Sequence, residues 1–350
     1  MVRRLAFAVP GDLATPTGGY AYDRRMIEEL RRLDWQVQAI DLGDGFPCPD
    51  AAGKATARQL LAGVAPGTPI VIDGLAFGVL PEAAGELRRR GPLVALVHHP
   101  LALESGLSPA AAGELATSER AALAAAHAVV VTGPATAKVL RDDYGVATGR
   151  ITVACPGTDR AAAAPGSSDG MVRLVSVGAV VPRKGFDVLV AALARLADLP
   201  WRLTIAGDRG RDPSAAAALD ATIARHDLAG RIAVPGALPP ERIAALYAGA
   251  DLFVLASRHE GYGMAFAEAM AHGLPVIGTT AGAIPDTVPA AAGVLVAPDD
   301  VAALADALRL LIQQPERRRV CAAAAHAAAQ VLPTWPDQAR RFAAAIEALA

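Results

Sequence analysis

Short apolar runs recur along the chain and alternate with longer segments in which apolar and charged residues repeat at helical spacing. Runs that are apolar at nearly every position are typical of strands buried on both faces, as in parallel sheets covered by helices. The pattern therefore predicts twelve strands in an α/β protein. In order, they are LAFAV, VQAIDL, IVIDG, LVALVHH, AVVVTG, ITVAC, VRLVSVG, RLTIAG, IAVPG, DLFVLAS, PVIGT and GVLVAP.

The segments between these runs are rich in alanine and punctuated by charged residues, so each can present one polar and one apolar face. This pattern predicts helices. The clearest predicted helices run from Tyr22 to Leu33, Gly113 to Ala126, Phe186 to Ala197 and Val301 to Gln313.

The periodic pattern stops between Cys155 and Met171, where the chain reads PGTDRAAAAPGSSDG, a composition typical of a linker. We therefore expect two Rossmann-like domains facing across a cleft, with a last helix that packs on either half. Insertions between two repeats of one larger sheet are an open alternative. The predicted boundaries are 1–156 for the N-terminal domain, 157–170 for the linker, 171–330 for the C-terminal domain and 331–350 for the terminal helix.

Composition narrows the class of protein. A chain of 350 residues with 53% hydrophobic positions can build two sizeable cores. A net charge of −2 argues against nucleic acid as a partner. The three cysteines lack the spacing of a zinc site or disulfide framework, which favours a reducing cytoplasm. The apolar runs are too short for a signal peptide or a membrane span, and peripheral contact with the inner membrane face stays open.

The strongest motif is SRHEGYGMAFAEAMAHGLPVIG, residues 257–278, in which a strand leads through a glycine-containing loop into a helix. Ligands bind at the carboxyl ends of strands in such sheets. Gly261 and Gly263 let the backbone approach a ligand closely, and the helix that starts near Met264 offers free amides to an anion. The segment therefore predicts an anion site.

Two glutamates in this motif, Glu260 in the loop and Glu268 one turn into the helix, lie eight residues apart. Their carboxylates can accept hydrogen bonds from hydroxyls on two parts of one polyol ligand. The alternative is that Glu260 caps the helix and Glu268 is a solvated helix residue.

The run EGYGMAFAEAMAHGLPVI closely resembles the E-x7-E segment of the retaining glycosyltransferases of family 4, which have the two-domain GT-B fold. The resemblance implies that a sugar moves from a nucleoside diphosphate donor to an acceptor hydroxyl with retention at the anomeric carbon. It also implies that Glu268 holds the ribose hydroxyls of the donor and that Glu260 holds a hydroxyl of the donor sugar.

A second segment, VRLVSVGAVVPRKGFDVLVAAL, places Arg183 and Lys184 between a strand and a helix. Two fixed cations beside a helix start suit a diphosphate, whose negative charge grows as the glycosidic bond breaks. In the family an Arg-Lys pair here contacts the donor diphosphate, so the resemblance gives Arg183 and Lys184 that role. Two solvated surface cations are the alternative.

Near the N-terminus, PTGGYAYDRRMIEEL places Gly18 and Gly19 at the opening of a helix. The segment is not a GxGxxG dinucleotide fingerprint. In the family a Gly-Gly loop at this point closes over the phosphate and sugar of the donor, while a simple tight turn is the alternative.

His98 and His99 end the strand LVALV. Family 4 enzymes often carry a histidine just after this strand, near the reacting sugar, and His98 is the matching position. His99 is the second choice, because strand alternation alone does not decide which ring points inward, and a structural role for both is the alternative.

Weaker candidates follow from the same resemblance. Asp251 and Asp286 match family positions that shape the site, and Arg209 or Arg211 could add a cation contact. Acceptors in this family bind the N-terminal half, where residues 98–120 with Glu104 are the candidate region, for a lipid, a glycan or a small metabolite.

The resemblance therefore implies a retaining glycosyltransferase, and we expect it to need neither cofactor nor metal. Alternatives are a nucleotide-sugar hydrolase or epimerase of the same fold, a nicotinamide-dependent oxidoreductase, and a catalytically silent sugar-nucleotide binder. The predicted catalytic residues are Glu260, Lys184, Arg183 and His98, and the predicted donor-binding residues are Gly18, Gly19, Arg183, Lys184, Glu260, Gly261, Gly263, Met264 and Glu268.

Overall fold

The computed structural model describes residues 3–104 and 106–349. The chain divides into two compact units. The first contains the residues up to Thr15, Gly19–Gly157 and the residues from Pro333 onward; the second contains Pro16–Gly18 and Thr158–Leu332. Each unit holds one six-stranded sheet.

Both sheets are parallel throughout. All twelve strands lie where the apolar runs predicted them. They are β1 (Arg3–Val9), β2 (Trp35–Asp41), β3 (Ile70–Asp73), β4 (Leu93–Val97), β5 (Ala128–Val131), β6 (Ile151–Val153), β7 (Val172–Val177), β8 (Trp201–Ala206), β9 (Ile232–Gly236), β10 (Leu252–Val254), β11 (Val276–Thr279) and β12 (Gly293–Val296).

The sheet of the first unit has the order β2-β1-β3-β4-β5-β6, and that of the second has the order β12-β11-β10-β7-β8-β9. Strand order therefore reverses between β1 and β3 in the first sheet and between β7 and β10 in the second. Such reversals open a crevice at the carboxyl ends of the two strands, which is where α/β sheets bind ligands.

Helices connect the strands in both units. They are α1 (Gly18–Arg32), α2 (Ala51–Ala62), α3 (Gly74–Phe77), α4 (Pro81–Leu87), α5 (Pro109–Ala125), α6 (Pro134–Asp142), α7 (Phe186–Ala194), α8 (Pro213–Arg225), α9 (Pro240–Ala248), α10 (Met264–Ala271), α11 (Ile284–Thr287), α12 (Val301–Gln313), α13 (Pro315–Ala329) and α14 (Trp335–Glu347).

Two helices begin earlier than their apolar pattern indicated. Helix α1 starts at Gly18, as the Gly18-Gly19 segment predicted, although apolar periodicity alone indicated a start near Tyr22. Helix α5 starts at Pro109, because the Ser108 hydroxyl accepts a hydrogen bond from the Ala111 amide and proline suits the first helical position. The first turn of α1 is glycine-rich and that of α5 is alanine-rich, so hydrophobic periodicity does not mark them.

The terminal helix α14 belongs to the first unit. The sequence alone leaves open which half it packs on. It packs on β5 and β6. The Phe342 ring stacks on Phe7 with centroids 6.2 Å apart, and the Gln338 side-chain oxygen accepts from the Cys155 amide at 2.9 Å. The two separate sheets rule out the single larger sheet, and the predicted pair of Rossmann-like domains is confirmed.

Candidate functional site

The reversal point of the second sheet brings two of the predicted segments together. The short turn Pro182–Lys184 follows β7, and the loop that contains Glu260 follows β10. These two strands are hydrogen-bonded neighbours, so both segments leave the same edge of the sheet.

Arg183 and Lys184 converge on Glu260 there. The Lys184 Nζ atom lies 2.6 Å from Glu260 Oε1, and an Arg183 guanidinium nitrogen lies 3.5 Å from Glu260 Oε2. The Ser257 hydroxyl also donates to Glu260 Oε1 at 2.6 Å. Glu260 is only 7% exposed. We call Arg183, Lys184 and Glu260 the cation cluster.

Backbone contacts fix the two loops of the cation cluster to each other. The Arg183 guanidinium donates to the His259 carbonyl at 2.9 Å, and the Arg258 amide donates to the Arg183 carbonyl at 2.8 Å. The Thr279 hydroxyl, on β11, donates to the Ser257 carbonyl at 2.6 Å. Three neighbouring strands therefore hold the cluster in one geometry.

The charges of the cation cluster do not balance. Burial alone would raise the pKa of Glu260, but Lys184 and Arg183 outweigh it and lower the pKa to about 2. Burial lowers the pKa of Lys184, and Glu260 opposes that shift. Two cations against one carboxylate leave one net positive charge. Since, within the described residues, the contact of Glu260 Oε2 is the long one with Arg183, that oxygen keeps capacity to accept from a ligand hydroxyl.

Two glycines let the loops approach closely. At Gly185, φ is +65° and a Cβ atom would lie 2.0 Å from the Ala256 carbonyl oxygen. At Gly282, φ is +57° and a Cβ atom would lie 2.3 Å from the Glu260 carbonyl oxygen, which accepts from the Ala283 amide at 2.9 Å. Any other residue at these positions would displace the backbone beside the cation cluster.

Helix α10 begins directly after the Glu260 loop. Gly263, at φ +91°, is its N-cap, and among the described residues no side chain caps it. The sequence therefore leaves backbone amides around Gly261, Gly263 and Met264 for a ligand anion, in addition to the positive end of the helix dipole.

Glu268 lies one turn into α10 and has a different environment from Glu260. Its Oε2 atom accepts from the Tyr247 hydroxyl at 3.2 Å. Burial and the neighbouring Asp159 raise the pKa of Glu268 to about 7, although the Tyr247 contact lowers it. The ring of Tyr247 stacks on His272 with centroids 5.3 Å apart. The two glutamates of the motif therefore differ, one held ionised by cations and the other half-neutral near pH 7.

The first unit contains a cluster of opposite charge. His98 Nε2 lies 3.1 Å from Asp73 Oδ2 and 3.3 Å from Asp23 Oδ1. Asp73 ends β3 and His98 follows β4, two neighbouring strands, while Asp23 points from the buried face of α1. A Cβ atom on Gly19 would lie 3.5 Å from the His98 ring. We call Asp23, Asp73 and His98 the carboxylate cluster.

Burial alone would lower the pKa of His98, but the two aspartates raise it to about 10. Burial raises the pKa of Asp23 to about 7, although His98 lowers it. One atom from each of the three side chains lies within 4.8 Å of the other two, so the donor set has room for either a shared proton or one cation.

The structure separates the two histidines. His98 belongs to the carboxylate cluster, whereas His99 Nε2 contacts Glu104 Oε1 at 2.6 Å. Gly18 begins α1 and is exposed. The candidate acceptor region 98–120 comprises the turn after β4 and most of α5; its residue 105 lies outside the described residues.

The weaker candidates differ in position. Asp251 precedes β10 and accepts from the Ser167 and Arg173 amides, so it is at the amino end of the sheet, opposite the cation cluster. The expectation that it shapes the site is wrong. Asp286 is exposed on α11, and Arg209 pairs with Asp220.

Sequence reasoning did not single out Asp23 or Asp73. Asp73 was detectable, because it ends the strand IVID beside the strand that carries His98, and side chains at neighbouring strand ends meet. Asp23 was not, since a single acid in a helical pattern is normally solvent-exposed.

Known proteins share this architecture and these segments. Residues 159–328 match the family described as "Glycosyl transferases group 1", and residues 73–162 match "Glycosyltransferase Family 4". Sucrose-phosphate synthase from Thermosynechococcus elongatus superposes with a TM-score of 0.83 at 23% identity over 99% of both chains. A protein from Anabaena solved with UDP and glucose superposes with a TM-score of 0.76 at 19% identity over the whole of both chains.

Proteins similar in sequence are glycosyltransferases as well. D-inositol 3-phosphate glycosyltransferase 1 of Catenulispora acidiphila is 31% identical over 297 residues, covering 77% of this chain and 69% of the relative. MMP alpha-(1->4)-mannosyltransferase of Mycolicibacterium hassiacum is 28% identical over 295 residues, covering 79% and 69%. The chain is a glycosyltransferase of the GT-B type, and it belongs to glycosyltransferase family 4. Within the described residues, no helix combines the length and the apolar character needed to cross a membrane.

Proposed function

We propose that this glycosyltransferase moves a sugar from a nucleoside diphosphate donor to an acceptor hydroxyl with retention at the anomeric carbon. The observation that carries the proposal is the cation cluster, in which Lys184 and Arg183 meet Glu260 at the reversal point of the second sheet. Its one surplus positive charge and the open start of α10 are complementary to a diphosphate.

The two cations have a second role in this proposal. As the bond between the anomeric carbon and the diphosphate breaks, negative charge accumulates on the leaving oxygens. Cations already fixed by Glu260 and by backbone contacts stabilise that charge without reorganising. Lys184 and Arg183 therefore act on the transition state more than on the bound donor.

The glutamates divide the rest of the donor between them. Glu260 Oε2 accepts from a hydroxyl of the donor sugar, close to the cations that hold the diphosphate. Glu268, eight residues later, accepts from the ribose hydroxyls. The raised pKa of Glu268 means that ligand hydroxyls and Tyr247 compete to stabilise its ionised form.

The proposed transfer step needs no nucleophile from the protein. The acceptor oxygen bonds to the anomeric carbon on the face that the diphosphate leaves, and the bond from that carbon to the phosphate oxygen breaks. The acceptor proton passes to the departing phosphate oxygen. The family resemblance gives His98 the role of donating a hydrogen bond to the reacting sugar. The step calls for no metal and no cofactor.

The names of similar proteins suggest which probes to use. Relatives are named for transfer to inositol 3-phosphate and for lipopolysaccharide core biosynthesis, and a structural neighbour was solved with UDP-glucose. We therefore propose a nucleoside diphosphate hexose as donor, with inositol 3-phosphate, simple glycosides and dispersed glycolipids as the first acceptors to test.

Product analysis tests the proposal. The protein is incubated with UDP-, GDP- and ADP-hexoses with and without each acceptor, while nucleotide release and the anomeric proton of the product are followed. We expect release that depends on an acceptor and a product with the anomeric configuration of the donor. Equal release of free sugar without acceptor would instead identify a hydrolase, and inversion would overturn the retaining mechanism.

A further inference from the structure

The carboxylate cluster directs two acids at one ring nitrogen. His98 Nε2 lies 3.1 Å from Asp73 Oδ2 and 3.3 Å from Asp23 Oδ1. Within the described residues this nitrogen is buried, and neither contact has the angle of a formed hydrogen bond. The His98 side chain as a whole is 20% exposed. The accessible part of the side chain is therefore not the Nε2 atom, and Nδ1 is the ring nitrogen that does not face the two acids.

Burying the carboxyl group of Asp23 at its position costs free energy. It is fully buried on α1, next to the buried residues Tyr22, Met26 and Ile27. Within the described part of the chain, neither of its carboxylate oxygens has a hydrogen-bond partner by geometry, and its close polar contact is with His98. A buried carboxyl that caps no helix and pairs with no arginine adds no stability by itself.

The two carboxylate oxygens of Asp73 make different contacts. Its Oδ1 atom accepts from the Leu75 amide at 2.7 Å and so caps the short helix α3. This bond fixes the carboxylate plane and leaves Oδ2 facing His98. An asparagine could keep the cap but would carry no charge, so the two tasks of Asp73 are separable by substitution.

The other contacts of His98 hold it in place. The Thr132 and Thr136 hydroxyls each donate to its carbonyl at 3.2 Å, and the Tyr22 ring meets its ring edge-on with centroids 5.3 Å apart. Burial raises the pKa of Tyr22 far above its usual value, so its phenol stays neutral. The charged groups that face His98 from α1 and β3 are thus both acids.

We propose that Asp23 and Asp73 are positioning residues that hold His98 as an imidazolium, with Nε2–H shared between the two carboxylates and Nδ1–H presented to an oxygen of the reacting sugar. The functional half of this statement rests on the proposed function, whereas the charge state of His98 does not. When both acids are ionised, they leave Nε2 no role as an acceptor, so a proton on Nδ1 then makes the ring cationic.

The charge state is tested first, by NMR of the protein with ¹⁵N-labelled histidine. His98→Gln identifies the His98 signals among the seven histidines. In the wild type we expect the imidazolium signature to persist from pH 6 to pH 9. In Asp23→Asn/Asp73→Asn we expect His98 to become neutral by pH 7, since burial then acts unopposed. A neutral wild-type His98 at pH 7 overturns the proposal.

The kinetic test uses single variants and a matched control. Asp23→Asn and Asp73→Asn should each lower kcat about 10-fold to 100-fold with little change in the donor KM, and activity should fall as pH rises from 6 to 8. The control is Glu29→Gln, a buried acid on the same helix that pairs with Arg25 and Arg32 instead. A pH profile identical to that of the wild type would refute the positioning role.

A bound cation is the competing occupant of the same donor atoms. Metal analysis of the purified protein, before and after dialysis against a chelator, distinguishes the two. Stoichiometric metal whose removal changes the His98 signals would overturn the imidazolium. If no donor is turned over at all, the NMR result still decides the charge state, so failure of the proposed function is distinguishable from failure of this inference.

Discussion

The two units bury charge in opposite ways. In the second, one carboxylate lies among cations, and the cation cluster carries a surplus positive charge. In the first, one imidazole lies between two carboxylates, and the carboxylate cluster carries a surplus negative charge when all three groups are ionised. The cation cluster of the second unit suits binding an anion, whereas the carboxylate cluster of the first unit suits retaining a proton.

The comparison also shows what each cluster does for the fold. Glu260 has a hydroxyl and two cations as partners, and its pKa falls to about 2 despite burial. Burial raises the pKa of Asp23 to about 7; His98 lowers it, and the neighbouring acid Asp73 raises it further. Removing the charge of Glu260 should therefore cost stability that removing the charge of Asp23 does not.

The largest expected effect is on stability. Glu260→Gln leaves Lys184 and Arg183 buried without a counter-charge and should lower the free energy of unfolding by about 3–5 kcal/mol at pH 7. Asp23→Asn should lower it by less than about 1 kcal/mol, because that carboxyl is costly to ionise. Urea unfolding of both variants measures the difference, and equal losses would contradict the comparison.

The pH dependence of the Glu260 variant has a defined sign. Because the folded pKa of Glu260 lies below its ordinary value of 4.5, its contribution to stability is fully present above pH 4.5. It is lost as pH falls from 4.5 toward 2. The difference between the wild type and Glu260→Gln should shrink across that window.

The next effect is on catalysis. Lys184→Ala removes a charge-assisted contact to the leaving diphosphate and should lower kcat by a hundredfold or more, equivalent to about 3–4 kcal/mol. Lys138→Ala, which removes an exposed lysine paired with Asp142, is the control. Circular dichroism of both variants serves to check that they are folded. Near-normal transfer by the Lys184 variant would remove its assigned role.

A smaller effect on stability distinguishes the glycine beside the cation cluster from the glycine beside the carboxylate cluster. Gly282→Ala forces an alanine to φ +57° with its Cβ against the Glu260 carbonyl, and should cost at least about 1–2 kcal/mol of stability. Gly19→Ala meets His98 only at 3.5 Å, an ordinary contact, and should change stability by less than about 0.5 kcal/mol. Thermal unfolding compares them, and a tolerated Gly282→Ala would show that the loop has freedom the structure lacks.

The smallest effect comes from Glu268. Its folded pKa of about 7 exceeds its ordinary value, so the folded state keeps a proton that the unfolded state loses between pH 4.5 and 7. Wild-type stability therefore falls across that range. Glu268→Gln should be more stable than the wild type at pH 8, by on the order of 1 kcal/mol, yet bind nucleotide more weakly. Unchanged stability at pH 8 would contradict the raised pKa.

Much of the fold follows from local pattern. The twelve strands are predictable because buried parallel strands require nearly uninterrupted apolar residues. The start of α5 is not, since the Ser108 cap and Pro109 rather than periodicity set it. The placement of α14 on the first unit depends on contacts such as Phe342 with Phe7, which are far apart in sequence.

The two clusters differ in the same respect. Arg183, Lys184 and Glu260 are recognisable because they lie in segments with characteristic neighbours and a family resemblance. Asp23 and Asp73 meet His98 only because the order β1-β3-β4 brings their elements together. A single sequence carries no local signal for that contact, and pKa shifts such as that of Asp23 arise from burial that no motif encodes.

The central claim is that the cation cluster holds the diphosphate of a sugar donor. Isothermal titration of the wild type and of Lys184→Ala with UDP, GDP and ADP, and with the matching nucleosides, tests it most directly. We expect at least one diphosphate to bind the wild type, its nucleoside to bind far more weakly, and Lys184→Ala to lose most of the difference. Equal binding of the diphosphate by both proteins, or of the diphosphate and nucleoside by the wild type, would contradict the claim.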